Sequence, residues 1–109
     1  ILQIETLNAL EQAEEIAGVE GVDGIFVGPA DLSLRLGLTP GAPTLSEAMQ
    51  QVADAAARQG KAWGTAGGGV EEWKQYRQMG AQLLIGAGDF ALRDVLEEAK
   101  ENMNAALGD

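Results

Sequence analysis

Four short apolar runs recur along the chain, and a stretch of helical periodicity follows each one. That alternation restricts the fold more than any other feature. ILQIE (1–5) leads into TLNALEQAEEIAGV, where Leu7, Leu10, Ala13 and Ala17 recur at spacings of three or four, with Ile16 alongside. Thr6 is placed as the N-cap of that helix. GIFVG (24–28) is followed by a long loop and then by TLSEAMQQVADAAARQG, with Gly60 as its terminator. KAWGTA (61–66) passes through Gly67-Gly68-Gly69 into VEEWKQYRQMG, again closed by a glycine. QLLIGAG (82–88) leads into DFALRDVLEEAKENMNAAL, which Asp89 is placed to cap. Strands apolar throughout, separated by amphipathic helices, predict βαβ units and a parallel sheet covered on both faces. The fold class is α/β.

Four βα units suit a small open sheet or half of a (β/α)8 barrel, since a whole barrel takes about 250 residues and this chain has 109. The chain opens in mid-strand at Ile1 without an initiator methionine, which reads as a piece of something longer. In either fold, ligands collect beyond the carboxyl ends of the strands. Glu5, Asp31, the GTAGGG segment and the GAGD segment all fall there. Net charge is -10, with 7 basic against 17 acidic residues, which disfavours nucleic acid and anionic membranes as partners. Cysteine and histidine are absent, so disulfides, thiolate or imidazole metal sites and Ser-His or Cys-His nucleophile pairs are excluded within the chain. No apolar run approaches the ~20 residues that span a bilayer, and a cytoplasmic location is expected.

Two carboxylates close apolar runs: Glu5 in ILQIE and Asp31 just past GIFVGPA. If those runs pair as neighbouring parallel strands, about 4.8 Å apart, both can reach one point above the rim. Facing carboxylates in a half-buried cleft repel unless a cation lies between them. Mg²⁺ or Mn²⁺, with oxygen ligands and open positions for substrate, would relieve the repulsion. The plain reading of each residue stands beside this one. Asp after Gly-Pro-Ala is often a helix cap, here for a short LSLRL turn, and Glu at a strand end is often just solvated.

QIET followed by GVEGVDGIFVGPADLS resembles the HpcH/HpaI aldolase family of metal-dependent pyruvate aldolases. The likeness continues through GKAWG and through Gly80 to Leu92, less specifically. It implies a (β/α)8 TIM barrel of the phosphoenolpyruvate/pyruvate type, with this chain as its carboxyl-terminal half, strands five to eight. By position, Glu5 and Asp31 match the family's metal ligands, for Mg²⁺, Mn²⁺ or Co²⁺. Gln3 matches the glutamine beside bound pyruvate. Gly28, Pro29, Ala30 and Asp31 match the turn whose backbone N–H groups hold the pyruvate carboxylate, and Ala66 falls on the substrate wall of the seventh strand. The implied reaction cleaves a 4-hydroxy-2-oxo acid to pyruvate and an aldehyde through an enolate that the metal stabilises. A homo-oligomer, a hexamer, is implied as well.

The family's His-Asp base and its substrate-contacting Arg are expected upstream, so no catalytic residue is assigned to this chain, and the chain alone is expected to be inactive. The GTAGGG loop is smaller than the family pattern, which would alter the aldehyde accepted. Its glycines also permit a phosphate-cradling reading, although the Walker Lys-Ser/Thr and the G-x-G-x-x-G order are missing. Trp63 and Trp73 read as packing between helix and sheet, and Arg35 as a rim residue in the loop SLRLGLTPGAP. Two other functions remain open at this point. One is the citrate-lyase β-subunit-like branch, acting on acyl-CoA thioesters. The other is a non-catalytic half-barrel that self-associates through its open edges.

Overall fold

A computed structural model describes residues 1–86 and 88–108. The four apolar runs are strands β1 (Leu2–Ile4), β2 (Gly24–Val27), β3 (Ala62–Ala66) and β4 (Leu83–Ile85). They form one parallel sheet in the order β1-β2-β3-β4. Ile4 pairs with Val27, Val27 with Thr65 and Thr65 with Leu84. The carboxyl ends therefore lie level along one rim.

Helices follow every strand: α1 (Leu7–Glu11) and α2 (Ala13–Gly18) after β1, α3 (Pro29–Leu38) and α4 (Leu45–Arg58) after β2, α5 (Val70–Gln78) after β3, and α6 (Asp89–Leu107) after β4. Thr6 caps α1 as expected, its hydroxyl accepting from the Ala9 N–H at 3.1 Å. The expected single first helix is divided at Gln12, whose φ of -99° and ψ of 13° interrupt the helical path. Gly60 and Gly80 end α4 and α5 with φ of 63° and 85°, a conformation that favours glycine.

Three further expectations are corrected. The long loop after β2 contains α3, ten residues with Pro29 at its start and Leu32 and Leu36 buried one turn apart. Arg35 accordingly lies in the last turn of α3 and not in a rim loop. Asp89 does not cap α6. Gly88 occupies that position without a side-chain hydrogen bond, and Asp89 is the first helical residue.

The third correction concerns the sheet, which is covered on one face only. Adding each new parallel strand beside the last, with right-handed crossovers throughout, sends the helices that connect strands to the same side. Ile4, Ile25, Val27, Trp63 and Thr65 face that side and are buried. α4 lies against β2, β3 and α2, bringing Met49 and Val52 into the core between small residues such as Ala48 and Ala56. The Thr65 hydroxyl, 0% exposed, donates across the strand pair to the Val27 carbonyl at 3.1 Å. Alternate residues line the opposite face, where Leu83 and Ile85 are 36% and 50% exposed. α6 buries none of its residues and extends the molecule to 59 Å. Among the described residues, no helix is long and apolar enough to cross a membrane.

Candidate functional site

Gln3 and Glu5 are two residues apart at the end of β1, so both side chains project to the uncovered face. The Gly28 N–H donates to the Ile4 carbonyl at 3.0 Å, which carries the ladder one step past β2 and sets Gly28 level with Glu5. Both side chains lean over this glycine. A Cβ there would lie 3.0 Å from Gln3 Nε2 and 3.1 Å from Glu5 Oε2. With φ of -83° and ψ of 94°, the backbone at Gly28 would accept other residues. Space above it is what demands glycine. Glu5 is half-buried, and its carboxylate has no hydrogen-bond or ion-pair partner among the described residues.

Gly28 is also the N-cap of α3. The first intrahelical bond runs from the Leu32 N–H to the Gly28 carbonyl at 3.0 Å. No side chain caps the helix, so the N–H groups of Ala30 and Asp31 remain free at its positive end. Proline carries no N–H. Pro29 therefore cannot be an anion donor, and with the Gly28 N–H given to Ile4, only Ala30 and Asp31 of this turn have free N–H groups. Asp31 itself is exposed in the first turn of α3, three residues after Gly28.

Ala66 ends β3, one step past the Val27–Thr65 pair and so level with Gly28. Beyond it the chain turns through the glycine loop into α5. The Gly68 N–H donates to the Glu72 carboxylate at 2.8 Å. A loop whose donor is already taken by an acid, with that acid's charge alongside, does not suit phosphate, and the phosphate-cradling reading is set aside.

The Trp73 ring packs over Gly67 and Gly86. A Cβ at Gly67 would be 2.8 Å from its Nε1, and one at Gly86 would overlap the six-membered ring. Trp73 Nε1 is buried without a partner among the described residues. Trp63, by contrast, donates to the Met79 carbonyl at 3.1 Å. Both tryptophans thus join helix to sheet, as their sequence context predicts. Pro29, Ala66, Trp73 and Tyr76 share an open cleft of about 710 Å³ at the ends of β3 and β4. Burial, and secondarily the Glu72 carboxylate, raises the Tyr76 phenol above its usual value, so it stays protonated. The roles of Glu72, Trp73 and Tyr76 as cleft walls were not read from the sequence. Glu72 and Trp73 precede Tyr76 by four and three residues on α5, just after the glycine run, and that spacing was the available signal.

The structure thus brings Gln3, Glu5 and Gly28 together, sets Ala30 and Asp31 immediately beyond, and places Ala66 one strand further along the rim. Among the described residues no group of three or more His, Cys, Asp and Glu side chains gathers as a ready-made metal site. Two carboxylates without protein partners, with open positions around them, fit a hard divalent cation of the Mg²⁺ or Mn²⁺ kind, which commonly takes one or two carboxylates and completes its shell with water and substrate oxygens.

Comparison with known proteins bears on this arrangement. A family model described as HpcH/HpaI aldolase/citrate lyase matches residues 1–92. The chain belongs to the HpcH/HpaI family. The hydroxypyruvate/pyruvate aldolase of Sagittula stellata is 48% identical over 58 residues, 53% of this chain and 22% of that protein. The 4-hydroxy-2-oxo-heptane-1,7-dioate aldolase of Escherichia coli is 36% identical over 110 aligned residues, 99% of this chain and 41% of that protein. Among solved structures, an HpcH/HpaI aldolase from Desulfitobacterium hafniense superposes with a TM-score of 0.79 at 32% identity, covering 94% of this chain and 41% of the other. The chain therefore spans about two fifths of the length of relatives that match it from end to end.

Proposed function

We propose that residues 1–109 form the carboxyl-terminal half of a (β/α)8 barrel in a metal-dependent aldolase that cleaves 4-hydroxy-2-oxo acids to pyruvate and an aldehyde. One observation carries the reading: the Gln3 amide and the Glu5 carboxylate converge over Gly28, beside the two free N–H groups of α3. The family membership and the uncovered sheet face, which suits a barrel interior, support it.

Glu5 and Asp31 would hold a divalent cation, Mg²⁺, Mn²⁺ or Co²⁺. When bound, it supplies Lewis-acid stabilisation of charge developing on the keto oxygen of the substrate. The N–H groups of Ala30 and Asp31 receive the substrate carboxylate at the helix N-terminus. The Gln3 amide donates to a substrate oxygen on the opposite side. Pro29 and Ala66 bound the site towards the cleft and exclude water from it. No histidine is present, so the base that moves the C3 proton comes from outside this chain. The reading also makes the enzyme cytoplasmic and homo-oligomeric, with α6, whose Leu92, Leu96 and Met103 are exposed, available for contacts between copies. An acyl-CoA lyase is less supported, because no basic residue lines the cleft among the described residues.

The test is a Mn²⁺ titration of the full-length protein with Glu5→Gln and Asp31→Asn. Changes to residues that only support metal ligands cost about 10–100-fold in affinity. Loss of a ligand is expected to reach at least the upper end of that range in each variant. Wild-type affinity in both would refute the assignment.

A further inference from the structure

The cleft at the ends of β3 and β4 continues the row formed by Glu5, Gly28 and Ala66 on the side away from β1. In an aldolase, a group attached beyond the bond that breaks has to lie past the pyruvate-holding end, and this cleft is the space the chain provides there. Its body is apolar and aromatic, with Trp73, Tyr76, Ile85 and Phe90 on its walls. Every charged residue on it is acidic: Glu72, Asp89 and Asp94. Asp94 is paired with Arg93 at 2.9 Å, whereas Glu72 and Asp89 have no cationic partner among the described residues. Tyr76 is more than nine-tenths buried, and its phenol makes no hydrogen bond among the described residues. The cleft thus presents an uncharged hydroxyl between apolar walls, under an acidic rim, on a chain of net charge -10.

We infer that this cleft is the aldehyde subsite and that it selects uncharged aldehydes, apolar or hydroxylated, against those ending in a carboxylate. The inference rests on the aldolase reading and adds to it the class of second substrate. The physical basis is simple. A distal carboxylate would leave water for an apolar pocket to which the described residues of this chain bring no cation, and would meet two like charges at its edge. A hydroxyl of the same length can meet the Tyr76 phenol.

The experiment uses the full-length, metal-loaded enzyme with pyruvate and two acceptors of equal carbon count, 4-hydroxybutanal and 4-oxobutanoate. The ratio of their kcat/KM values is measured at about 10 mM and about 1 M ionic strength, where screening lengths are about 30 Å and about 3 Å. At low salt the neutral aldehyde is expected to be preferred by about tenfold or more, and the preference should narrow at high salt. Glu72→Gln retains an oxygen to accept from the Gly68 N–H while removing the charge, and should narrow the low-salt ratio several-fold. Asp89→Asn provides the same test independently of the loop. Equal or better use of 4-oxobutanoate overturns the inference, as does a ratio indifferent to salt and to both variants. Exchange of the pyruvate methyl protons with D₂O, which needs no aldehyde, separates the two levels. Absence of metal-dependent exchange removes the aldolase reading and this inference with it. Exchange accompanied by a flat ratio removes the inference alone.

Discussion

Gly28→Ala is the most discriminating single change, because it separates the space above the glycine from its backbone freedom. The added methyl would lie 3.0 Å from Gln3 Nε2 and 3.1 Å from Glu5 Oε2, so both side-chain ends must retreat by a few tenths of an ångström. Oxygen ligands hold Mg²⁺-like cations at about 2.0–2.1 Å, within about 0.2 Å. A shift of that size uses up the tolerance. We expect a loss of about 1–2 kcal/mol in Mn²⁺ binding, roughly 5–30-fold in Kd. Folding should hardly respond. The dihedral angles at Gly28 suit alanine, and the lower entropy of the unfolded chain, worth about 0.4–1 kcal/mol, offsets the poorer N-cap. Mn²⁺ binding read by electron paramagnetic resonance, beside calorimetric melting, reports both quantities on one sample. Unchanged Mn²⁺ affinity in a normally folded Gly28→Ala variant would refute the claim that Glu5 holds the metal from its position over this glycine.

Other variants test the frame around the site. Thr44 and Glu47 form a reciprocal capping box on α4, so Thr44→Ala should cost about 1 kcal/mol in denaturant melts. Glu47 is held below its usual pKa by the backbone and hydroxyl of Thr44. Its contribution is therefore present above pH about 4.5 and is lost as the pH falls through the lowered value; Glu47→Gln should flatten that acid limb. Tyr76 is shifted the other way, so the fold favours its neutral form, and stability falls as the pH rises beyond about 10. Tyr76→Phe should reduce that alkaline loss in melts across pH 9–11. Gly86→Ala must expel the Trp73 ring, which a red shift of tryptophan emission would report; an unshifted spectrum would contradict the packing described.

The four βα units, the Thr6 cap and the glycine stops at Gly60 and Gly80 were legible because each depends on residues adjacent in the chain. α3 was not. Its inward contacts are essentially Leu32 and Leu36 between two glycine-bearing segments, too short a pattern to show a period. The uncovered sheet face was hidden for a different reason. A strand buried on both sides and one lining an unfilled barrel interior show the same apolar run, and only the order of strands distinguishes them. At the site, the two-residue spacing of Gln3 and Glu5 already put them on one face. Pro29 belongs to the turn that the resemblance marks, but likeness over a whole turn does not separate residues with a free N–H from a proline that has none. The seating of Trp73 on Gly67 and Gly86 joins two loops and a helix, which no local pattern reveals.

The one-sided arrangement of helices has an evolutionary corollary. Each βα unit delivers its own loop to the common rim, while its packing obligations are met on the far side of the sheet. Drift in the glycine loop or at the start of α6 can therefore reshape the cleft at the ends of β3 and β4, leaving Glu5 beyond β1 and Asp31 beyond β2 undisturbed.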